Sequence, residues 1–128
     1  MRLLLDTHIL LWAAIDFARL SPRARRLLNA PDAELLFSVA SIWEVAIKTS
    51  PGRADFDVDS VTLRRGLLEG GYVELPITGE HAVTSGALPD LHHDPFDRIL
   101  IAQALVEGVP LVTSDRRIHQ YPVPIERV

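Results

Sequence analysis

Residues 2–14, RLLLDTHILLWAA, contain a short apolar run, a single acid and the beginning of a helical pattern. The run from Arg2 to Leu5 has the length and composition of a buried strand, and Asp6 follows it directly. From Thr7 onward the apolar residues recur at the spacing of one helix face. The stretch therefore predicts a strand that ends at a carboxylate and passes at once into a helix.

The same alternation of strand and helix continues along the chain. Further strands are predicted at 35–39, 72–75 and 111–113, with 123–128 as a candidate edge strand, and helices at 22–28, 41–48, 59–69, 78–87 and 94–106. The polar, turn-rich stretch SPGRADFDVDS at 50–60 is predicted to form a loop or flap. Continuous apolar strands separated by helices are typical of a parallel sheet that is covered on both faces. The predicted fold class is therefore α/β with a central, mostly parallel sheet.

Length and composition fit one globular domain spanning residues 1–128. The chain has no cysteine, so it can form neither a disulfide framework nor a thiolate zinc site. This suits a reducing cytoplasm, where we expect the protein to act. No apolar run approaches the roughly 18 residues that span a bilayer, so no membrane association is expected. Asp6 and His8 interrupt the N-terminal leucine run, which is therefore not expected to be a cleaved signal peptide.

The net charge of −4 argues against a broad, sequence-indifferent surface for nucleic acid, because phosphate neutralisation needs surplus Lys and Arg. It does not exclude an enzyme that acts on nucleic acid. Carboxylates that hold divalent cations add to the acidic count, and the bound cations then supply the positive charge that meets phosphate.

Four acids fall where the strands of such a sheet are expected to end. Asp6 and Asp115 come just after predicted strands, Glu44 lies one turn into the helix after the second strand, and Asp97 lies in the first turn of a later helix. Ligands of parallel sheets gather beyond the carboxyl ends of the strands. Like charges concentrated there repel one another unless cations neutralise them. Carboxylate ligands suit Mg²⁺ and Mn²⁺, so the four acids together indicate a hard-metal site.

Each acid also has a purely structural interpretation. Asp6 could cap the helix that follows it, and Asp115 could be a turn residue. Ser41 and Glu44 have the S-x-x-E spacing of a capping box. For these three acids the sequence leaves both interpretations open.

The start of the helix at 94–106 separates a capping acid from a site acid. Asp94 fits the N-cap and Pro95 the first helical position, whereas Asp97 is less needed for capping and is the better site candidate. The adjacent His92 and His93 are expected to diverge, and the chain has no H-x-x-x-H zinc pattern. The two histidines are interpreted as surface or core residues, and their specific role is left unassigned.

Four stretches of the sequence resemble PIN-domain ribonucleases, specifically the VapC-like toxins of bacterial type II toxin–antitoxin systems. They are LLLDTHILLWA at 3–13, SVASIWEVAIK at 38–48, HHDPFDRILIAQA at 92–104 and VPLVTSD at 109–115. They occur in the family's order and at family-like separations. The resemblance implies a compact three-layer α/β/α domain with a parallel sheet. The HHDPFD pattern departs from the commonest family form.

The resemblance also implies a site and a reaction. Asp6, Glu44, Asp97 and Asp115 would form the catalytic centre of a metal-dependent endoribonuclease, with Thr113 as a supporting hydroxyl. Asp6, Asp97 and Asp115 would bind Mg²⁺, with Mn²⁺ able to replace it, and Glu44 would complete the ligand set or orient the attacking water. No required acid is missing, so we expect an active enzyme that cleaves RNA phosphodiester bonds with metal-activated water. The alternative is a catalytically inactive PIN-like module that binds RNA or protein.

Family membership would further imply partners. Toxins of this family act on RNA, are held inactive by a cognate antitoxin, and typically form homodimers. Part of a partner surface could come from Leu10, Leu11, Trp12 and Trp43, although core burial is expected for most of them.

The basic residues add weaker expectations. Arg53, Arg98 and Arg116 are candidates for phosphate contacts, but a solvated surface position or a salt bridge is the preferred interpretation of each. Two other acidic-pocket classes fit poorly. A phosphatase of the haloacid-dehalogenase type needs an acid where His8 stands, and a phospho-receiver needs a lysine at the end of a late strand, whereas Lys48 is the only lysine and lies in a predicted helix.

Overall fold

The computed structural model describes residues 1–49 and 58–128. In chain order its strands and helices are β1 (Arg2–Leu5), α1 (Thr7–Ile15), α2 (Pro22–Leu28), β2 (Glu34–Ser38), α3 (Val39–Lys48), α4 (Ser60–Glu69), β3 (Val73–Leu75), α5 (Gly79–Ala87), α6 (Pro95–Glu107), β4 (Leu111–Thr113) and β5 (Ile125–Arg127). Short 3-10 helices occupy Phe17–Arg19 and Ile118–Gln120. Most of the predicted loop at 50–60 lies outside the described residues.

The described strands form one parallel sheet in the order β3-β2-β1-β4-β5. Central β1 pairs Leu3 with Leu35 of β2 on one side and Leu5 with Val112 of β4 on the other. The chain therefore moves outward from β1 to β3 and then crosses to the far side of β1 for β4 and β5. The predicted parallel sheet is confirmed, and the candidate tail strand is present as β5.

Helices cover both faces of this sheet because successive strand residues point to opposite sides. Leu3 and Leu5 of β1 belong to an apolar cluster with residues of α1, α2, α3 and α4. Leu4 belongs to a second cluster on the opposite face, with Leu100 and Ile101 of α6 and residues of the other strands. Each fully buried leucine contributes about 1.5–3 kcal/mol to stability. The three-layer α/β/α architecture is therefore confirmed, with a core on each side of the sheet.

The structure corrects the start of α3. The capping-box alternative for Ser41 and Glu44 is wrong, because α3 begins at Val39 and its N-cap is Ser38. Ser41 is buried inside the helix, where its hydroxyl lies 2.9 Å from the hydroxyl of Thr7. This hydrogen bond ties α3 to the first turn of α1.

The ends of α6 follow the local signals in the sequence. Asp94 is its N-cap, and its carboxylate accepts backbone N–H groups of the first turn, as predicted. The helix ends at Gly108, whose φ of 66° lies in the left-handed region that favours glycine. Asp97 is therefore fixed in the first turn of α6.

The helices are short. The longest of them in the described ranges is α6, with 13 residues. None has the length and apolar character needed to cross a membrane.

Candidate metal centre

The strand order reverses at the carboxyl ends of β1 and β4, and the acids gather there. Asp6 follows β1, Asp115 follows the neighbouring β4, and Asp97 reaches the same edge from α6. In open parallel sheets the crevice at such a reversal is the usual place for a ligand. Sheet topology therefore brings together three acids that are far apart in sequence.

Asp6 is held by two donors at the end of β1. Its Oδ1 accepts the backbone N–H of Ile9 at 3.0 Å, which makes Asp6 the N-cap of α1, and its Oδ2 accepts the hydroxyl of Thr113. Burial raises the pKa of Asp6, although both hydrogen bonds act to lower it. The Thr113 hydroxyl also accepts the backbone N–H of Asp115 at 3.0 Å. Thr113 thus links the acids that follow β1 and β4.

Asp97 projects from the first turn of α6 into this edge. Burial, and secondarily the nearby charge of Asp94, raise the pKa of Asp97 to about 6. The charge of Asp6 contributes in the same direction, whereas the hydrogen bond with His92 acts to lower this pKa. Burial therefore leaves the ionised form of Asp97, like that of Asp6, in need of a compensating positive charge.

Asp115 is less buried than Asp6 and is also a turn residue. Burial alone would raise its pKa, but the backbone N–H of Arg117, at 2.9 Å, and the Arg117 guanidinium both donate to its carboxylate. These contacts hold the pKa of Asp115 below its ordinary value. Asp115 is therefore ionised throughout the pH range in which Asp97 titrates.

His92 also lies in this cluster, although sequence reasoning did not assign it to the site. Its Nε2 lies 2.6 Å from Oδ2 of Asp97 and 3.9 Å from Oδ2 of Asp115. One atom from each of the three side chains lies within 4.8 Å of the others. The predicted divergence is confirmed, since the His92 side chain is 5% exposed and that of His93 is 85% exposed. This divergence is the signal by which His92 could have been assigned to the site. If the side chains of His92 and His93 point in opposite directions and Asp97 faces a site, one of the two imidazole rings should face that site as well.

Glu44 is buried on α3 but stays outside the contacts of the other acids. Its side chain is 3% exposed, and its Oε2 pairs with Nζ of Lys48 at 2.5 Å. Its Oε1 is buried and has no hydrogen-bond partner in the described part of the chain. Within residues 1–49 and 58–128, no hydrogen bond or ion pair joins Glu44 to Asp6, Asp97 or Asp115. Asp97 and Asp115 lie within reach of one ion, Thr113 links Asp6 to Asp115, and the described contacts include no such link for Glu44.

Arg98 is partly buried, and contacts to the backbone occupy its side chain. Its guanidinium lies under the segment before α6 and donates to four backbone carbonyl oxygens, those of Ser85, Leu88, Pro89 and His92. These contacts leave little of the guanidinium for the phosphate contact that was one candidate role of Arg98. Arg116 is exposed, and Arg53 lies outside the described residues.

The donor set fits a divalent cation. Asp97 and Asp115 present carboxylate oxygens close enough to share one ion, and oxygen ligands of this kind suit Mg²⁺ and Mn²⁺. Burial, followed by the negative charge of Asp94, raises the pKa of Asp97, and among the described residues no lysine or arginine contacts this carboxylate to offset the cost of its charge. Oε1 of Glu44 is a further buried acceptor for which residues 1–49 and 58–128 supply no donor.

The candidate partner surface is smaller than the sequence suggested. Leu10 and Leu11 belong to the core, as expected for most of the four apolar residues, and Trp12 packs against it. Trp43 is 58% exposed, and its ring makes an edge contact with Phe96 at a centroid distance of 5.2 Å. An apolar groove of about 570 Å³ lies between α1 and α4, and its lining includes Ala13, Ala14, Ile15, Leu63, Leu67 and Tyr72.

The sequence matches a known family over nearly its full length. Residues 3–124 match the family model described as PIN domain. The chain is also 33% identical over 125 residues to Ribonuclease VapC22 of Mycobacterium tuberculosis (strain ATCC 25618 / H37Rv), a match that covers 95% of each protein.

Solved structures share the fold at lower sequence identity. VapBC2 from Rickettsia felis, bound to a DNA fragment from its promoter, gives a TM-score of 0.72 at 15% identity and covers 100% of this chain and 99% of that one. DNA-bound VapBC from Salmonella typhimurium gives a TM-score of 0.68 at 17% identity, and the match covers 99% of this chain and 98% of that one. VapBC-5 from Mycobacterium tuberculosis gives a TM-score of 0.61 at 21% identity, and the match covers 99% of this chain and 98% of that one.

Proposed function

This chain belongs to the PIN-domain family, and we propose that it is a Mg²⁺-dependent endoribonuclease that acts as the toxin of a type II toxin–antitoxin pair. The observation that carries the proposal is the placement of Asp97 and Asp115 within reach of one ion where the sheet order reverses, with Asp6 at the end of the neighbouring strand β1. The relative at 33% identity is named a ribonuclease, which supports the reaction class.

Asp97 and Asp115 would hold the cation directly, with Asp6 adding negative charge from the end of β1. Their oxygens favour Mg²⁺, and Mn²⁺ would replace it because it accepts the same ligands. When bound, such a cation lowers the pKa of a coordinated water and offsets charge on the scissile phosphate.

Neighbouring polar residues would orient the acids and keep them ionised for metal binding. Thr113 orients Asp6 through its hydroxyl, and Arg117 keeps Asp115 ionised. Glu44 would orient the attacking water with its free Oε1 while Lys48 holds the other oxygen. The water oxygen bonds to phosphorus as the bond to the 3′ oxygen breaks, and the departing oxygen takes up a proton. The products would be a 5′-phosphate and a 3′-hydroxyl end.

An antitoxin is the proposed protein partner. Several structural neighbours are VapBC toxin–antitoxin complexes, which supports a partner of this kind. A basic side chain of the antitoxin that entered the acidic edge would compete with the cation for Asp97 and Asp115. The groove between α1 and α4 and the exposed ring of Trp43 offer apolar contact area for the rest of the partner.

We also propose that residues 1–128 act as one domain, that two copies form a homodimer, and that the protein works in the cytoplasm. Light scattering of the purified toxin tests the dimer, with twice the chain mass of 14.2 kDa as the expected result. A monomer at all concentrations would contradict it.

The enzymatic proposal is tested by incubating the purified protein with RNA in Mg²⁺ or Mn²⁺. We expect cleavage that chelation abolishes and that Asp97→Asn lowers by at least about 100-fold, a loss typical of a residue that stabilises the transition state directly. Asp94→Asn is the matched control, because asparagine caps a helix as well as aspartate and leaves Asp97 in place.

A catalytically inactive binding module is the alternative. Expression in cells separates the two: the toxin is expected to arrest growth, Asp6→Asn to relieve the arrest, and sequencing of RNA ends to reveal new 5′-phosphates absent from Asp97→Asn. Unaffected growth together with RNA that is bound and left intact would favour the inactive module.

A further inference from the structure

We propose that His92 is a positioning residue, which donates its Nε2–H to Asp97 and holds that carboxylate ready for the cation without binding the cation itself. This inference rests on the proposed function, since it concerns the same metal centre. It assigns a role to the histidine of HHDPFD that the four-acid site leaves unexplained.

The distances favour one acceptor. Nε2 of His92 lies 2.6 Å from Oδ2 of Asp97, a short hydrogen bond of the kind formed to a charged acceptor. Its separation of 3.9 Å from Asp115 is too long for a hydrogen bond. Of the described residues, His92 is the one whose side chain donates to Asp97. Without it, the carboxylate could rotate about its terminal bond and present either oxygen to the site.

The other ring nitrogen determines which role His92 can take. The backbone N–H of Asp94 points at Nδ1 of His92 from 3.5 Å, so Nδ1 accepts and carries no proton. The proton of the neutral ring therefore sits on Nε2, where its lone pair is unavailable to a metal. Coordination through Nε2 would require a proton on Nδ1, facing the N–H of Asp94. The geometry thus makes Nε2 a donor to Asp97.

The segment that carries His92 is fixed by Arg98. One guanidinium nitrogen of Arg98 donates to the backbone carbonyl of His92 at 3.2 Å and to that of Pro89 at 3.0 Å, and the other donates to Ser85 and Leu88. Arg98 and Asp97 are adjacent on α6, so the same helix turn that projects the acid also anchors the loop opposite it. The hydrogen bonds of Arg98 therefore hold the backbone of His92 against the helix turn that carries Asp97.

Histidine donors that orient metal-binding carboxylates belong to the outer contacts whose loss typically costs about 10- to 100-fold in metal affinity. The test is the Mn²⁺ affinity of the full chain, followed by the electron paramagnetic resonance of free Mn²⁺. We expect His92→Ala to weaken Mn²⁺ binding by about 10- to 100-fold. His92→Gln is expected to recover most of that loss, because its amide N–H stands the same number of bonds from Cβ as Nε2. The control His93→Ala removes a neighbouring exposed imidazole and is expected to match wild type.

A purely structural role predicts a different pattern. In that case His92→Ala would lower the melting temperature of the metal-free protein while Mn²⁺ affinity stayed within about threefold of wild type, and the inference would be wrong. Direct ligation would also overturn it. Pulsed spectra of bound Mn²⁺ report coordinated nitrogen, and a nitrogen signal that is present in wild type and lost in His92→Ala would identify His92 as a ligand.

The proposed function fails separately from this inference. If wild type neither binds Mn²⁺ nor cleaves RNA, the metal centre itself is wrong and His92 has no such role. If wild type binds and cleaves while His92→Ala equals it in Mn²⁺ affinity, only the role of His92 is wrong.

Discussion

The hydroxyl of Thr113, the last residue of β4, donates a hydrogen bond to the carboxylate of Asp6 at the end of β1. The two residues are 107 positions apart in sequence and meet because their strands are neighbours. The contact joins the two strand ends where the acids gather, so it couples the geometry of the site to the register of the sheet.

Replacement of Thr113 by valine is expected to destabilise the protein by about 1–3 kcal/mol, because a buried carboxylate loses its donor while the side-chain volume is kept. The pKa of Asp6, already raised by burial, should rise further. Urea unfolding of the metal-free protein measures the change. Ser114→Ala is the control, since Ser114 is exposed, and equal stability of Thr113→Val and wild type would contradict the assigned contact.

Asp97→Asn is expected to stabilise the metal-free protein at neutral pH. The pKa of Asp97 is raised from 3.8 to about 6 in the folded chain, so its ionised form destabilises the fold above that value. At about 1.4 kcal/mol per pKa unit, the rise from 3.8 to about 6 corresponds to a gain from Asn on the order of 3 kcal/mol. It should shrink as pH falls through the window between the folded and unfolded pKa values and vanish below about pH 4. Chemical unfolding with chelator at several pH values measures it; a gain independent of pH would count against the raised pKa.

Added Mn²⁺ should raise the melting temperature of wild type, because a ligand that binds only the folded state stabilises it. The shift should be large above the Asp97 pKa of about 6 and small below it, since a protonated carboxyl group is a poor ligand. Asp97→Asn should show little shift at any pH. A wild-type shift of the same size on both sides of this pKa would mean that Asp97 does not bind the ion.

Lys48→Met should cost at least about 2 kcal/mol, because it leaves the buried carboxylate of Glu44 without its cation. Glu44→Gln should cost less, and the double variant should recover part of the Lys48→Met loss. A double-mutant cycle of unfolding free energies measures this coupling. Strictly additive losses would show that the ion pair contributes nothing to the fold.

Signals that lie within a few residues of one another predicted much of this protein. The passage from β1 through Asp6 into α1 could be predicted because strand, cap and helix are adjacent, and Asp94 was identified as a cap because Pro95 follows it. The position of the acids at one sheet edge followed from the rule that parallel strands end together.

Contacts between distant segments could not be predicted in the same way. Ser38 and Ser41 are both good caps, and the choice between them depends on the hydrogen bond that buries Ser41 against Thr7. Arginine is usually a surface residue, so its type alone did not predict the contacts of Arg98. Four carbonyl oxygens reach its guanidinium only through the conformation that the segment before α6 adopts in the folded chain. The conformation of this segment also places His92 beside Asp97, which the sequence did not predict.

The central claim is that Asp97 and Asp115, with Asp6 beside them, share one divalent cation where the sheet order reverses. The most direct test is anomalous scattering from crystals of the protein grown with Mn²⁺. A shared ion should give a peak about 2.0–2.2 Å from carboxylate oxygens of Asp97 and Asp115, within the range for hard divalent ions with oxygen ligands. A saturated crystal with no peak at this edge, or with its manganese bound elsewhere, would contradict it.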